Sequence, residues 1–356
     1  MKLLFLCKRR PQGKDLLNRP YGRFYYLLKI LAGKGHDVHQ LVFSYKNDPK
    51  IVTHTDNINW TSVSLIKHGP FAYIREAKRI IEETRPDWIV GFSDTYYGIL
   101  AQRLGAKNNI PSLIDAYDNY ESYIPWLKPL HYQWQSSLAK ATLVTAAGPS
   151  LVDLLGKCRP GRQTEIIPMA ADPIFGPLDK IACRKKLNLP LNKKLIGYSG
   201  STLVPNRGVE TLFRAFESLK NELPDLQLVL TGRKGRGISI PQNATWLGYI
   251  PDDQMPLLMN SLDMLLVMNQ PSSFGNYSYP VKLYEAMRCN IPVVVSETLS
   301  TKWIMKSNQD LLVEPNNTLE LCDKIKSVLQ QDRINYAEQM DWQQIGEKLE
   351  RLLLKQ

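Results

Sequence analysis

A chain of 356 residues is too long for one typical core and suits two α/β domains of similar size. Its 44% apolar and 22% charged residues are those of an ordinary globular protein, and no apolar run approaches the ~20 residues that span a bilayer. The net charge of +11 fits solubility or a phosphate-bearing partner, while five scattered cysteines without a C-x-x-C pair argue for a reducing, cytoplasmic setting and against structural zinc.

The first half alternates apolar strands with helix-length segments. Lys2 to Cys7 reads as a buried strand, too short for a signal-peptide core and followed rather than preceded by Lys8-Arg9-Arg10. Further basic residues crowd the next segment: Lys14, Arg19, Arg23 and Lys29. No aromatic-basic RNA signature accompanies them, so an anionic membrane surface carrying a phospholipid acceptor is expected in place of nucleic acid. Tyr21 to Gly33 predicts a helix, Asp37 to Ser44 a strand after the Gly35 stop, Phe71 to Thr84 a helix and Pro86 to Gly91 a strand. Ile110 to Asp115, a helix around Trp126 to Lys140, Leu143 to Ala146 and Glu165 to Pro168 close the set. Strands separated in this way imply right-handed crossovers and a parallel sheet.

A second series begins after the connector Pro173 to Pro190. Strands are expected at Lys194 to Ser199, Leu226 to Thr231, Ala244 to Gly248, Met264 to Met268 and Pro292 to Val295. Helices are expected at Val209 to Glu222, Gln254 to Ser261, Val281 to Arg288 and Thr318 to Gln331. The fold class is therefore α/β, with two doubly wound domains and ligands at the C-terminal strand edges and in the cleft between them.

The stretch Phe274 to Met287 carries the most chemistry. Pro280 suits a helix start, and Lys282 then lies in the first turn, where the helix dipole disfavours a cation unless an anion neutralises it. Lys282 and Glu285 are i, i+3 neighbours, able to share one ligand or simply to form a surface ion pair. A helix N-terminus with a lysine suits a diphosphate, and the carboxylate suits ribose hydroxyls. Gly200 to Val209 repeats the pattern: small residues at a strand end, Ser201 among them, then Arg207 at a helix entry with two parallel donors for phosphate. Gly232-Arg233-Lys234-Gly235-Arg236-Gly237 is weaker, a basic glycine turn without P-loop spacing. All five histidines lie at or before His131, so the second half has no histidine metal centre; carboxylate-held magnesium stays open.

Taken together these stretches resemble glycosyltransferase family 4, over nearly the whole chain. Gly35-His36-Asp37-Val38 is similar to the family's entry to its second strand, and Ile167 to Phe175 to its interdomain connector. Leu247 to Pro251, with Tyr249, resembles the loop whose backbone meets the base. Glu285 to Val294 resembles the glutamate helix and following strand, and Trp342 to Leu354 the terminal helix that crosses back. The resemblance implies a GT-B fold, two Rossmann-like domains facing each other across a cleft. Residues 1–168 with the helix 338–356 would form the acceptor side, and 169–337 the donor side.

It also implies a retaining, metal-independent transfer from a nucleoside-diphosphate sugar, a co-substrate, with no cofactor. The acceptor would be a lipid-linked or polysaccharide intermediate in cell-surface glycan synthesis. Arg207 and Lys282 would grip the diphosphate and Glu285 the ribose, with Ser201, Arg233, Tyr249, Asn276 and Tyr277 completing the donor site. Gly22, in Arg19-Pro20-Tyr21-Gly22-Arg23, would let backbone approach the diphosphate or acceptor. Two departures stand out. Tyr277 occupies the place of a glutamate, and Tyr117 that of a histidine, leaving Asp118 as the nearby ionisable candidate for catalysis or for a helix cap. Other readings are a sugar-nucleotide epimerase, which lacks placeable acid/base groups in the second half, and a non-catalytic sugar-nucleotide-binding protein, suggested by the two tyrosines.

Overall fold

The computed structural model describes residues 1–200, 208–235 and 239–355. They divide into two compact units, Met1–Met169 with Met340–Gln356, and Ala170–Gln339.

Unit 1 runs β1 (Lys2–Lys8), α1 (Arg23–Gly33), β2 (Asp37–Ser44), β3 (Ile51–Thr55), β4 (Ile58–Ser64), α2 (Leu65–His68) and α3 (Ala72–Thr84). It continues through β5 (Trp88–Gly91), α4 (Thr95–Asn108), β6 (Ser112–Ala116), α5 (Lys128–Lys140), β7 (Leu143–Ala146), α6 (Pro149–Gly156) and β8 (Glu165–Ile166). The strands order β3-β4-β2-β1-β5-β6-β7-β8, parallel except for the β3–β4 hairpin. β1 is apolar on both faces because helices cover both. On one face Leu4 and Leu6 pack with Tyr73, Ala77 and Ile80 of α3 and Leu100 and Leu104 of α4.

The last helix, α13 (Trp342–Leu354), returns to unit 1. Its start is fixed by a capping box between Asp341 and Gln344. Trp342 stacks on Tyr26 of α1, with ring centroids 5.7 Å apart. Gly346 admits the closest approach, since a Cβ there would lie 2.7 Å from Ile30 Cγ2.

Unit 2 contains α7 (Lys180–Lys186), β9 (Lys194–Ser199), α8 (Val209–Leu219), β10 (Leu226–Thr231), β11 (Ala244–Trp246), α9 (Met255–Ser261) and β12 (Met264–Val267). After these come α10 (Val281–Arg288), β13 (Val293–Ser296), α11 (Leu299–Ile304), β14 (Leu312–Val313) and α12 (Thr318–Val328). All six strands are parallel, in the order β11-β10-β9-β12-β13-β14. The chain direction across the sheet reverses between β9 and β12. That is the topological switch point where loops diverge and leave a crevice. Buried Arg184 and half-buried Lys180 of α7 hold Asp263 at the opposite, N-terminal edge of β12, 2.6 and 3.0 Å away. The connector between Pro173 and Pro190 thus contains a helix with a structural ion-pair network.

Candidate functional site

In unit 2 the loops after β9, β10, β11 and β12 all leave the C-terminal sheet edge. Ser201 and Arg207, expected in the first of these, lie outside the described residues. The residue after Arg207, Gly208, caps α8 at a positive φ of 70°. A Cβ on it would lie 3.5 Å from Met268 Cβ and 3.7 Å from the Asn269 carbonyl. The start of α8 therefore sits against the end of β12, across the switch point.

The chain from Met268 to Pro280 is a tightly held loop. Gly275 is obligatory: a Cβ would meet the Gln270 carbonyl at 1.9 Å. Its N–H donates to Ser272 Oγ at 2.9 Å, and buried Asn269 accepts from the Gln270 N–H at 3.0 Å. From the other side Ser300 of α11 donates to the Ser278 carbonyl at 2.6 Å, while Thr298 and Thr301 close a capping box. Asn276 and Tyr277 share a short 3-10 turn at the rim, both half-buried.

This loop delivers Pro280 to the cap position of α10, one residue before the helix proper. Lys282 then projects from the first turn, and its Nζ lies 2.8 Å from Glu285 Oε2. The Glu285 side chain is 9% exposed and that of Lys282 33%. The cation at the unfavourable end of the helix dipole is thus answered by an anion of its own helix. A half-exposed lysine and a buried carboxylate at a helix N-terminus, on a sheet switch point, form a site that can exchange an internal ion pair for contacts to a phosphate and hydroxyls.

The two neighbouring loops are joined by a bond from the Gly232 N–H to the Gly248 carbonyl at 2.7 Å, both glycines having positive φ. Exposed Arg233 and Tyr249 come directly after them. The same sheet edge holds them, on the far side of β9 from Lys282.

In unit 1 Gly22 caps α1 with φ 58° and ψ −160°, a conformation for glycine, with open space around it. The next residue corrects an expectation. Arg23 is fully buried, not part of a basic surface. Its guanidinium grips Asp115 through two bonds of 2.9 and 2.6 Å and also donates to the Ile167 carbonyl at 3.1 Å. Asp115 accepts from Thr145 Oγ1 as well, at 2.6 Å. A bidentate buried pair of this kind fixes the Gly22 turn to β6 and to the chain leaving β8.

Four other N-terminal cations are paired as well. Lys8 faces Asp94 at 3.8 Å, Arg9 and Arg10 share Asp15 and Asp48, and Lys29 meets Asp56 at 3.3 Å. These pairs tie the segment to the fold, while the Lys8 and Lys29 side chains stay 37% and 48% exposed.

Asp118 is buried beyond the end of β6 and accepts from Tyr123 Oη at 2.7 Å, while Asn119 takes the cap position of the following turn. Tyr117 packs between Phe24 and Tyr120, at 5.3 and 5.5 Å. Burial, and then the Asp118 charge, push its phenol well above the usual tyrosine range. It is a neutral hydroxyl at physiological pH, without a histidine's proton exchange.

One group escaped the sequence reading. Asp94 caps α4, accepting from the Tyr96 N–H at 3.0 Å, and lies at the β1–β5 switch point of unit 1. Burial raises its pKa, against the lowering pull of Lys8. Ser93 before it has a φ of 78° and accepts from the Lys8 N–H at 3.1 Å. Ser-Asp-Thr after a strand was the available signal for a helix cap. Among the described residues no group of three or more His, Cys, Asp or Glu side chains is placed to hold a metal ion.

Comparison with known proteins agrees with this architecture. Residues 179–349 match the family model "Glycosyl transferases group 1". A curated relative, the GDP-mannose-dependent monoacylated alpha-(1-6)-phosphatidylinositol monomannoside mannosyltransferase of Corynebacterium glutamicum, is 24% identical over 200 residues, covering 50% of this chain and 51% of that one. The chain thus matches about half the length of that relative. Among solved structures, sucrose-phosphate synthase from Thermosynechococcus elongatus superposes with a TM-score of 0.75 at 17% identity, over 100% of this chain and 94% of that one. The Anabaena protein HepE in complex with UDP-glucose gives 0.75 at 16%, over 100% of both chains. The chain has the GT-B fold and resembles glycosyltransferase family 4.

Proposed function

We propose that this GT-B chain is a glycosyltransferase that moves a sugar from a nucleoside-diphosphate sugar, bound by unit 2, to a lipid-linked or polysaccharide acceptor, with retention and without a metal. The observation that carries the reading is the Lys282–Glu285 pair in the first turn of α10, beside the switch point. It falls within the matched span 179–349. On binding, Lys282 leaves Glu285 for the diphosphate, and the freed carboxylate accepts from the ribose hydroxyls. Arg207 supplies the second cation. Negative charge growing on the departing diphosphate is stabilised by both cations and by the α10 N-terminus. The acceptor hydroxyl attacks from the same face and gives its proton to the departing phosphate. Gly22 and Asp118 serve the acceptor side, and Ser201, Arg233, Tyr249, Asn276 and Tyr277 the donor.

HepE is solved with UDP-glucose, and the mannosyltransferase relative acts on a phosphatidylinositol mannoside by its name; both support a nucleotide sugar as donor, and the second a lipid-borne acceptor. The reading places the reaction in the cytoplasm, at the inner face of the membrane. Among the described residues no helix is long and apolar enough to cross that membrane, which suits peripheral contact. The test is a donor panel of UDP-, GDP- and ADP-sugars, first by thermal shift and then by product formation, with and without chelator. A stabilising donor followed by chelator-resistant transfer, the new bond keeping the donor's anomeric configuration, is expected. Donor binding without transfer to any acceptor would favour a sugar-nucleotide-binding protein, the reading to which a neutral Tyr117 lends weight.

A further inference from the structure

The apolar surface of unit 1 is concentrated where its strands end. Between Tyr123 and Pro129 every residue is exposed, and Trp126 is 76% exposed, a large ring left in water at the exit from β6. Ile124 and Leu127 flank it, also exposed. A second exposed group lies at the same C-terminal edge: Tyr45 and Lys46 beyond β2, Ile66 in α2 and Phe71 just after it. Ser64 Oγ donates to the Lys46 carbonyl at 2.5 Å, so the β2 and β4 exits form one continuous surface.

Charge separates this surface from a chance patch. No Asp or Glu occurs from Ser122 to Val152, nor from Asn57 to Arg75. Lys46, Lys67 and Lys128 lie exposed among the apolar side chains. Exposed Trp and Tyr mixed with aliphatic residues and lysines, with Asp48 beside Lys46 already paired to Arg10, is the composition of a segment at a membrane–water interface. A saccharide platform needs rings flanked by polar groups that grip hydroxyls. Ile124, Pro125 and Leu127 around Trp126 offer none.

We propose that this edge of unit 1 is a lipid-surface docking face: Ile124, Trp126 and Leu127 enter the headgroup region, and the nearby lysines meet anionic headgroups. The inference rests on the peripheral contact proposed above and deepens it. The anchor is apolar first and electrostatic second, where Lys8, Arg9 and Arg10 alone suggested an electrostatic one; each of those three cations already faces a carboxylate.

The test is sedimentation of the full chain with vesicles of phosphatidylcholine containing 30% phosphatidylglycerol, together with quenching of tryptophan fluorescence by brominated lipid. Wild type is expected to bind, to be quenched, and to lose less than about tenfold in partitioning between 0.15 and 1 M salt, since screening removes only the lysine share. Ile124→Ser/Trp126→Ser/Leu127→Ser should bind at least about tenfold more weakly while keeping its circular dichroism and nucleotide thermal shift. Trp126→Phe should keep binding and lose most of the quenching. Unchanged partitioning of the triple variant, or complete release of wild type at 1 M salt, overturns the docking face. So does a wild-type dimer that the triple variant breaks without any vesicle binding, or Trp126 quenching by soluble glycan alone. The two readings fail separately. Transfer to a soluble acceptor with no vesicle binding sinks the docking face alone, and vesicle binding with no transfer from any donor supports the face and sinks the transferase.

Discussion

At the scale of single residues the proposed function turns on Lys282. Its pairing with Glu285 at 2.8 Å shows why a cation persists in the first helical turn, and it makes the two side chains thermodynamically linked. Replacing Lys282 or Arg207 by alanine is expected to lower turnover by about 10²–10³-fold, the effect of removing one preorganised donor from a site of developing charge. Glu285→Gln keeps the shape but halves the charge contrast, so nucleoside-diphosphate affinity measured by calorimetry should fall by roughly 1.5–3 kcal/mol. Equal affinity would reduce Glu285 to a structural partner of the lysine. Tyr277 is half-buried in the turn above them, with its N–H bonded to the Phe274 carbonyl at 3.1 Å. A tyrosine offers one hydroxyl and a ring face where a glutamate would accept from several hydroxyls, so the proposal that Tyr277 meets the sugar carries the expectation of a deoxy or N-acetyl donor. Tyr277→Ala should therefore reorder transfer rates among sugars on one nucleotide while nucleoside-diphosphate affinity stays within about threefold. A uniform loss that tracks a lower melting temperature would mean the residue only supports the loop.

At the scale of elements, helices and strands with a clear period were legible, and those without one were not. α13 spans the same residues as the terminal helix that the family resemblance implied, and Trp342, Ile345, Leu349 and Leu353 mark its one buried face. α4 was missed for the opposite reason. It is buried nearly all round, Tyr97, Ile99, Leu100, Ala101 and Leu104 included, and carries Gly98 and Gly105, which read against a helix. Those glycines are there for packing, since a Cβ at 98 would meet the Trp134 ring at 2.5 Å. The β3–β4 hairpin was missed because β3 is exposed along its length, and its signal, positive φ at both Asp56 and Asn57, lies in a dipeptide weaker than Asn-Gly. In the candidate site the contact between Lys282 and Glu285 was legible from their i, i+3 spacing. The burial of Arg23 was not, because its partner Asp115 is 92 residues away. The α1–α13 contact yields its own prediction. Gly346→Ala forces a methyl against Ile30, so it should cost about 1–3 kcal/mol, and Ile30→Val in the same chain should recover part of it. Melting temperatures of the three variants check this; an unaffected Gly346→Ala would show that α13 shifts freely on α1.

At the scale of the whole molecule the +11 charge is a surface excess laid over a tightly paired interior. Arg10 holds Asp48 down to a pKa of about 2. Tyr25 lowers Asp56, Lys34 lowers Glu350 and Lys180 lowers Asp332. Burial works against Glu76, but Arg79 and Lys50 prevail and its pKa also falls. Linkage sets the sign. A carboxylate whose folded pKa lies below its unfolded value adds stability above the unfolded pKa, near 4, and loses it as pH drops toward the folded pKa. Asp94 runs the other way, because burial raises its pKa and folding helps it take up a proton. Five depressed groups outweigh one raised group, and each proton bound also leaves more of the 45 lysines and arginines unopposed. Urea unfolding free energy is therefore expected to hold steady from pH 7 to about 5 and to fall steeply between about 4.5 and 2. Arg10→Met removes the first cause of the Asp48 shift, so that variant should be less stable at neutral pH and lose less on acidification. If its curve simply runs parallel to that of wild type down to pH 2, the Arg10–Asp48 pair is not a source of the acid sensitivity, and the self-repulsion of the cationic chain must account for it.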